Sequence, residues 1–394
     1  MTSKVILCLN AGSSSLKFAL YQIADESETS LAQGAVEHDG QTSRLWVHSA
    51  QRRIDQTGTD AFSLPAAMRQ VATELERLNL PHPDAVGHRL VHGGPDHAAP
   101  ARITDALRQE LRALIPFAPL HLPAEIAGIE SVSLRFPDVP QVACFDTAFH
   151  RLMPEVAQRF ALPRALWDEG IRRYGFHGIS YEYIMRTLGA KPPSRVIIAH
   201  LGNGASMAAV KDGRPLDTTM GFTPTGGLMM GTRSGDLDPG LLLYLSAQRH
   251  FDLQALARLV NCESGLLGVS GISSDMKTLL ERRDSEPDAA IAVLMFCYQL
   301  RQRIGAFAAA LGGIDLLVFT GGIGERAAPV RWEACSGLED FGVKLDPERN
   351  DANADTISLA DCRCLVRVVP TNENLMIAHH TSQLIFSSRQ ESSG

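Results

Sequence analysis

Three short segments of this chain gather cations and imidazoles among glycines. Gly87-HRLVHGG sets Arg89 at the end of a predicted strand, beside His88 and His92. Tyr174-GFHGIS holds His177 between Gly175 and Gly178, and Met229-MGTRSGDLDPG puts Arg233 in a glycine-flanked turn just before a predicted helix. Three glycine-rich loops, Asn10-AGSSS, His200-LGNGAS and Thr320-GGIGE, each follow a predicted strand. Glycine lets backbone N–H groups converge on anionic oxygens with no side chain in the way, which is how phosphates are cradled. A single such loop reads as a tight hairpin. Three in one chain point to a nucleotide. Each charged group also has a plain structural alternative, because arginines commonly form surface ion pairs and histidines commonly serve as hydrogen-bonded scaffolding.

Two acids stand in comparable places. Asp146 closes the predicted strand Val142 to Phe145 and suits a metal-shell or acid–base role, or simply an N-cap. Glu373 falls in the first turn of the last predicted helix, within Pro370-TNENLMIA, where the helix dipole alone favours an acid. Its functional reading is a magnesium ligand or a neighbour of one. Other signatures are excluded. No GxxxxGK[ST] occurs, so this is not a P-loop enzyme. Gly322-Ile-Gly324-Glu-Arg-Ala327 fits GxGxxA but sits late and lacks a clear ribose-binding acid after it. Asp340-Phe341-Gly342 is a DFG with no HRD loop before it.

The elements that must position these groups alternate short β-branched runs with longer helical patterns. Strands are predicted at Val5–Leu9, Leu16–Tyr21, Ala85–Val91, Val142–Phe145, Val196–Ala199, Leu316–Phe319 and Leu365–Val369. Helices are predicted at Pro65–Leu80, Thr104–Leu114, Pro123–Leu134, Pro239–Gln248, Pro287–Leu311 and Asn372–Phe386. Asp25–Ser30 reads as a polar stretch and Ser387–Gly394 as a frayed tail. The class is α/β with mixed sheets. Val5-ILCLNAGSSSLKFAL and Val196-IIAHLGNGASMAAV both read as strand, small-residue turn, strand, about half the chain apart. A duplicated domain with its boundary just after Phe149 accounts for the match and its spacing.

Composition narrows the partners. With 394 residues, 45% of them hydrophobic and 21% charged, the chain is long enough for two to three domains of about 150 residues. A net charge of −7 offers no global attraction for nucleic acid or an anionic membrane. The seven cysteines are scattered, without the paired CxxC spacing of a zinc site, and read as reduced thiols. The first residues lack a signal peptide's apolar core, and the longest wholly apolar stretch, Ile291–Tyr298, is far too short for a membrane span. The expectation is a soluble cytoplasmic protein.

Taken in order, Leu9-NAGSSSLKF, Gly87-HRLVHGG, Ala118-PLH, Phe145-DTAFH, Tyr174-GFHG, Ala199-HLGNGAS, Met220-GFTP, Gly227-LMMGTRSGDLDPG, Gly268-VSGISSD, Phe319-TGGIGE and Pro370-TNEN resemble the acetokinase family of the actin-like superfamily over nearly the whole chain. The resemblance implies two duplicated actin-like (ribonuclease H-like) domains, with mixed sheets flanked by helices and a central nucleotide cleft. It places residues 1–149 plus 375–394 in an acyl-substrate domain and 150–374 in a nucleotide domain. It also implies a homodimer, and acetate and ATP giving ADP and acetyl phosphate with Mg2+ (Mn2+ as a substitute).

Carried over residue by residue, the resemblance makes Asn10 and Glu373 the metal residues, and Arg89 the arginine that binds the carboxylate substrate. Asp146, His177 and Arg233 become catalytic, the last two as transition-state stabilisers. Val91, Leu120, Phe176 and Pro224 line the pocket for the acyl methyl. Lys17, His200, Leu201, Gly202, Asn203, Gly204, Asp275, Met276, Lys277, Gly322, Ile323, Gly324, Glu325 and Arg326 become nucleotide-binding positions. The chain departs from the family at Thr225-Gly226, commonly Leu-Glu, and at Leu122-Pro123, commonly Asn-Pro. Lys277 replaces a common arginine and Arg326 a common asparagine, which alters the expected nucleoside contacts.

Physical chemistry agrees with this assignment. Phosphoryl transfer needs positioning and charge neutralisation more than covalent chemistry. Losing one donor to the transferring group typically costs roughly 3 kcal/mol. A carboxylic acid with a pKa of about 4 to 5 is already ionised at neutral pH and needs no general base. Asp146 is therefore expected to orient an arginine or a magnesium-bound water. Val91 in the pocket favours acetate, with propionate secondary because one methylene is worth only about 1–3 kcal/mol. The rivals are a propionate or other short-chain acyl kinase, the same acceptor with GTP or pyrophosphate as donor, and a catalytically silent nucleotide switch.

Overall fold

In the computed structural model, residues 3–12, 14–24, 27–38, 41–50, 52–59 and 61–387 are described. The chain divides into two compact units, residues 1–149 with 372–394, and 150–371. The return to the first unit falls at Asn372, ahead of the expected 375.

The first unit holds β1 (Lys4–Ala11), β2 (Ser15–Ala24), β3 (Ser27–His38), β4 (Ser43–Ser49), β5 (Arg53–Gly58), β6 (Ala85–Leu90), β7 (Ala101–Arg102) and β8 (Gln141–Phe145). They form one sheet in the order β5-β4-β3-β2-β1-β6-β8-β7. The second unit holds β9 (Arg195–Leu201), β10 (Ala205–Lys211), β11 (Arg214–Thr218), β12 (Leu316–Thr320) and β13 (Leu365–Val368), in the order β11-β10-β9-β12-β13. The two patterns share a core. In each unit a three-strand antiparallel meander leads from its first strand to a parallel neighbour, and then to a second parallel strand. The internal echo read from the sequence is the first hairpin of each core, β1–β2 and β9–β10.

Most strands read from apolar runs lie inside the sheets, as β12 with its Leu-Leu-Val-Phe-Thr buried along its whole length does, while β13 forms the edge of the second sheet with Leu365 exposed. Those not foreseen lie toward the edge. Ser27–Ser30, part of the polar stretch, begin β3 and pair with β2, while Asp25 and Glu26 lie outside the described residues. β3, β4 and β5 carry Ser, Thr, Gln and Glu on an exposed face, so their pairing comes from register along β2 and not from an apolar pattern.

The expected helices form with small shifts at their ends. The helix Leu64–Arg77 is capped by Ser63, and Asp105–Ala113 by Thr104. Pro287–Leu311 buries Ala289, Ala292, Val293, Phe296, Leu300, Ile304 and Phe307 at helical spacing and stops at Gly312, whose φ is 75°. The last α-helix, Glu373–Ser382, ends earlier than expected and passes into a π-turn, Gln383–Ser387; the rest of the tail lies outside the described residues. That helix packs on β6 so closely that a Cβ on Gly87 would stand 2.3 Å from Thr381 Oγ1 and 2.5 Å from Ile377 Cγ2. All seven cysteines lie among the described residues and none forms a disulfide. Among the described residues no helix is long and apolar enough to cross a membrane.

Candidate active site

In the first unit the candidate groups meet where the parallel strands β1, β6 and β8 end, the edge at which open α/β sheets bind ligands. Asn10 is near the end of β1, Arg89 near the end of β6, and Asp146 directly follows β8, its N–H donating to Leu90 O at 2.9 Å. Glu373 opens the last helix, whose cap Asn372 accepts from Leu375 N at 3.0 Å and from the Tyr21 hydroxyl at 3.1 Å. The Arg89 guanidinium gathers the other three. It donates to Asn10 Oδ1 at 3.3 Å, pairs with fully buried Asp146, and lies 3.8 Å from Glu373 Oε2. Burial opposes its charge, but Asp146 and Glu373 outweigh that and hold the guanidinium firmly protonated. Asp146 is thus an arginine partner.

Glu125 was not foreseen. It lies in the first turn of the helix Leu122–Arg135, almost wholly buried, with both carboxylate oxygens accepting from Val91 N at 3.1 Å. Burial pushes its carboxyl up to about 8, against the opposing pull of Arg89 and the Val91 N–H. It therefore stays neutral at neutral pH while fixing the backbone of Val91. A glutamate 34 residues from its partner leaves no local spacing signal. Leu120 is 61% exposed, and Lys17 is exposed opposite Asn10 in the β1–β2 register, so both side chains leave one face of the hairpin. His88 and His92 are scaffolding. His88 Nε2 donates to Gln141 Oε1 at 2.8 Å, with its pKa lowered to about 4 by burial, and His92 Nδ1 accepts from Gly94 N at 2.8 Å.

In the second unit the groups collect beyond β9 and β12. His177 begins the helix Gly178–Thr187 at φ 60°, a left-handed conformation that turns its ring out of the helix path. A Cβ on Gly204 would stand 3.3 Å from His177 Nε2 and 3.4 Å from Arg233 Nη1, so imidazole and guanidinium converge on this glycine. Arg233 also donates to Pro224 O at 3.2 Å. The His177 ring stacks on His200, with centroids 4.3 Å apart. Phe176 is buried, and its carbonyl lies 3.0 Å from Nε2 of His150, a buried imidazole lowered to about 4.

The nucleotide positions divide by side chain. Gly202 N donates to Gly204 O at 3.0 Å, closing a turn that leaves Asn203 exposed, while Leu201 is core. Asp275 caps the helix Met276–Arg282 through Thr278 N at 3.0 Å, and that bonding lowers its pKa. Met276 is buried, and Lys277, with an 84% exposed side chain, lies 3.9 Å from Glu281. Gly321–Arg326 forms a short helix at the end of β12, with open space where a Cβ on Gly322 would be. Ile323 is part-exposed, Arg326 is exposed, and Gly324 is buried. Glu325 braces the segment by accepting from Gly321 N at 3.0 Å and Thr371 N at 3.2 Å. Buried Arg331, also unforeseen, donates to Gly324 O at 2.9 Å and to Asn350 and Asn353 oxygens.

One unit presents an arginine ringed by Asn10, Asp146 and Glu373, and the other sets a glycine turn beside an imidazole and a guanidinium. Fold and site define a phosphotransferase of the actin-like kind. The model of the acetokinase family matches residues 5–379. An acetate kinase of Methylocella silvestris is 45% identical over 399 residues, covering 97% of this chain and 98% of its own. Among solved structures, an acetate kinase of Porphyromonas gingivalis superposes with a TM-score of 0.87 at 38% identity, and a propionate kinase of Francisella tularensis with 0.91 at 35%. Each match covers 97% of this chain and 100% of the solved one. The chain belongs to the acetokinase family, kinases that transfer a phosphoryl group to acetate.

Proposed function

We propose that the reaction is direct in-line transfer from ATP to acetate with Mg2+, giving ADP and acetyl phosphate, and that Arg89 receives the acetate carboxylate. The observation that carries this reading is the Arg89 cluster, one guanidinium ringed by Asn10, Asp146 and Glu373 at the strand ends. A bound carboxylate takes up donors of Arg89, and transfer then needs only charge neutralisation around the moving phosphoryl group. His177 and Arg233 supply that neutralisation. Asp146 holds the Arg89 fork in place; ionised acetate asks for no base.

Mg2+ fits the donors present. It commonly takes one or two protein oxygens and leaves the rest of its shell to water and phosphates, so Asn10 and Glu373 suffice. Bound there, it would screen the phosphate oxygens. Val91, pinned through its backbone by Glu125, favours acetate. Propionate is a secondary substrate, a reading also favoured by the similarity to a propionate kinase. Glycines 202, 204, 322 and 324 hold the nucleotide phosphates, and Lys277 and Arg326 remain available to the nucleoside.

Two further assignments belong to this reading. The helices Pro239–Arg249 and Leu253–Cys262 bury none of their residues and expose Leu241, Leu243, Tyr244 and Leu253, which supports a homodimer in which a second copy covers them. Seven cysteines outside any disulfide suit the cytoplasm. Hydroxylamine trapping tests the activity, with acetate or propionate as acceptor and ATP, GTP or pyrophosphate as donor. Acetyl hydroxamate formed chiefly with ATP and Mg2+ is expected. Product only with pyrophosphate would overturn the nucleotide assignment, and a higher kcat/KM for propionate would overturn the pocket assignment.

A further inference from the structure

The ring of His177 is tied from behind by a buried hydroxyl chain. Its Nδ1 lies 2.9 Å from Ser206 Oγ on β10, and Ser206 Oγ in turn hydrogen-bonds the Tyr181 hydroxyl. Ser206 and Tyr181 are both fully buried. A serine hydroxyl has one proton to give, so this chain has two proton orders. In one, Tyr181 donates to Ser206 and Ser206 donates to Nδ1, leaving the proton of a neutral imidazole on Nε2. In the other, Nδ1–H donates to Ser206, and Nε2 presents a bare lone pair.

We propose that Tyr181 and Ser206 are positioning residues that hold His177 as a neutral imidazole protonated on Nε2, so that it donates to the transferring phosphoryl group. This deepens the reading above and rests on it. Nε2 is the atom that faces Gly204 alongside the Arg233 guanidinium, where anionic oxygens would be held. A bare nitrogen there repels those oxygens, whereas an N–H binds them. The surroundings also oppose a doubly protonated ring. His177 is faced by Arg233 from the Met229–Gly240 turn, by the stacked His200 ring from β9, by Ser206 from β10 and by Tyr181 from its own helix. A second positive charge beside Arg233 is disfavoured. The device repeats next door, where Ser180 Oγ lies 2.8 Å from His200 Nδ1 and 2.8 Å from Thr371 Oγ1.

The test is nitrogen NMR on the full-length protein labelled with 15N-histidine, with the His177 signals assigned by their loss in His177→Asn. The expected spectrum shows Nδ1 unprotonated and Nε2 protonated between about pH 6 and 8. Tyr181→Phe should let the proton redistribute between the nitrogens. It should lower kcat by about 10- to 100-fold, as loss of an outer partner typically does, with KM for acetate and ATP within about twofold. Ser206→Thr, which keeps the hydroxyl, should retain the wild-type spectrum, and circular dichroism melts confirm that each variant folds. An Nδ1-protonated or doubly protonated His177 in the wild type would overturn the relay while leaving His177 a phosphoryl ligand. Unchanged kcat in His177→Asn would overturn the underlying assignment and the relay together.

Discussion

Glu125→Gln isolates one buried carboxyl whose charge state matters to both stability and acceptor binding. In the folded chain this group titrates at about 8, against an ordinary 4.5, because burial penalises the anion more than Arg89 and the Val91 N–H favour it. Between those values the unfolded chain has released the proton and the folded chain still holds it. Unfolding therefore releases a proton, and stability falls as pH rises through the window. At about 1.4 kcal/mol per pH unit, the span from 4.5 to about 8 amounts to at most about 5 kcal/mol. Glutamine keeps the acceptor for Val91 N but carries no titrating group. Denaturant unfolding of both proteins at several pH values reads the effect as a difference. The wild type should match the variant near pH 4.5, lose ground steadily to pH 8, and run parallel above it. A kinetic readout accompanies it: above pH 8 an ionised Glu125 near Arg89 should raise KM for acetate in the wild type but not in the variant. A stability difference that stays constant across the window would refute the reasoning, since it would mean that the carboxyl is ionised throughout.

Other residues give sharper single readouts. Gly204→Ala puts a methyl 3.3 Å from His177 Nε2 and 3.4 Å from Arg233 Nη1, and should cut kcat at least about tenfold with little change in Tm. Gly87→Ala drives a Cβ into Thr381 and Ile377 and should cost about 1–3 kcal/mol. Because that helix carries Glu373, the Mg2+ concentration for half-maximal rate should also rise. Arg331→Met strips the donors from Gly324 O and the Asn350 and Asn353 oxygens, and should cost about 3 kcal/mol or more while raising KM for ATP; Arg331→Lys should not rescue it. His88 and His150, both held neutral with pKa values lowered to about 4, take up protons on unfolding below their ordinary 6.5. Each should make stability fall as pH drops from 6.5 to 4, and His88→Gln should flatten that acid slope in urea melts.

The core strands and the loops that end them were legible because their causes are local. Val5–Leu9 and Leu316–Phe319 are continuous apolar runs, which only a strand buried on both faces accommodates, and Asn10, Arg89 and Asp146 follow as the residues at the strand ends. The duplication was legible for the same reason, since each copy repeats a strand–turn–strand pattern within a few residues. β3, β4 and β5 were not, because polar strands at a sheet's margin take their pairing from a neighbour.

The side-chain types that perform phosphoryl transfer are written in the sequence, since arginine, histidine and glycine carry their chemistry wherever they stand. What holds them is decided by the tertiary structure. Glu125 sits under Val91, Arg331 under Gly324, and Ser206 with Tyr181 behind His177, across separations of 34, 7, 29 and 25 residues. Glu325 accepts from the backbone N–H groups of Gly321 and Thr371, and Asp275 from that of Thr278. A hydrogen bond or a lowered dielectric depends on which atoms are a few ångströms away, and only the folded chain sets those distances.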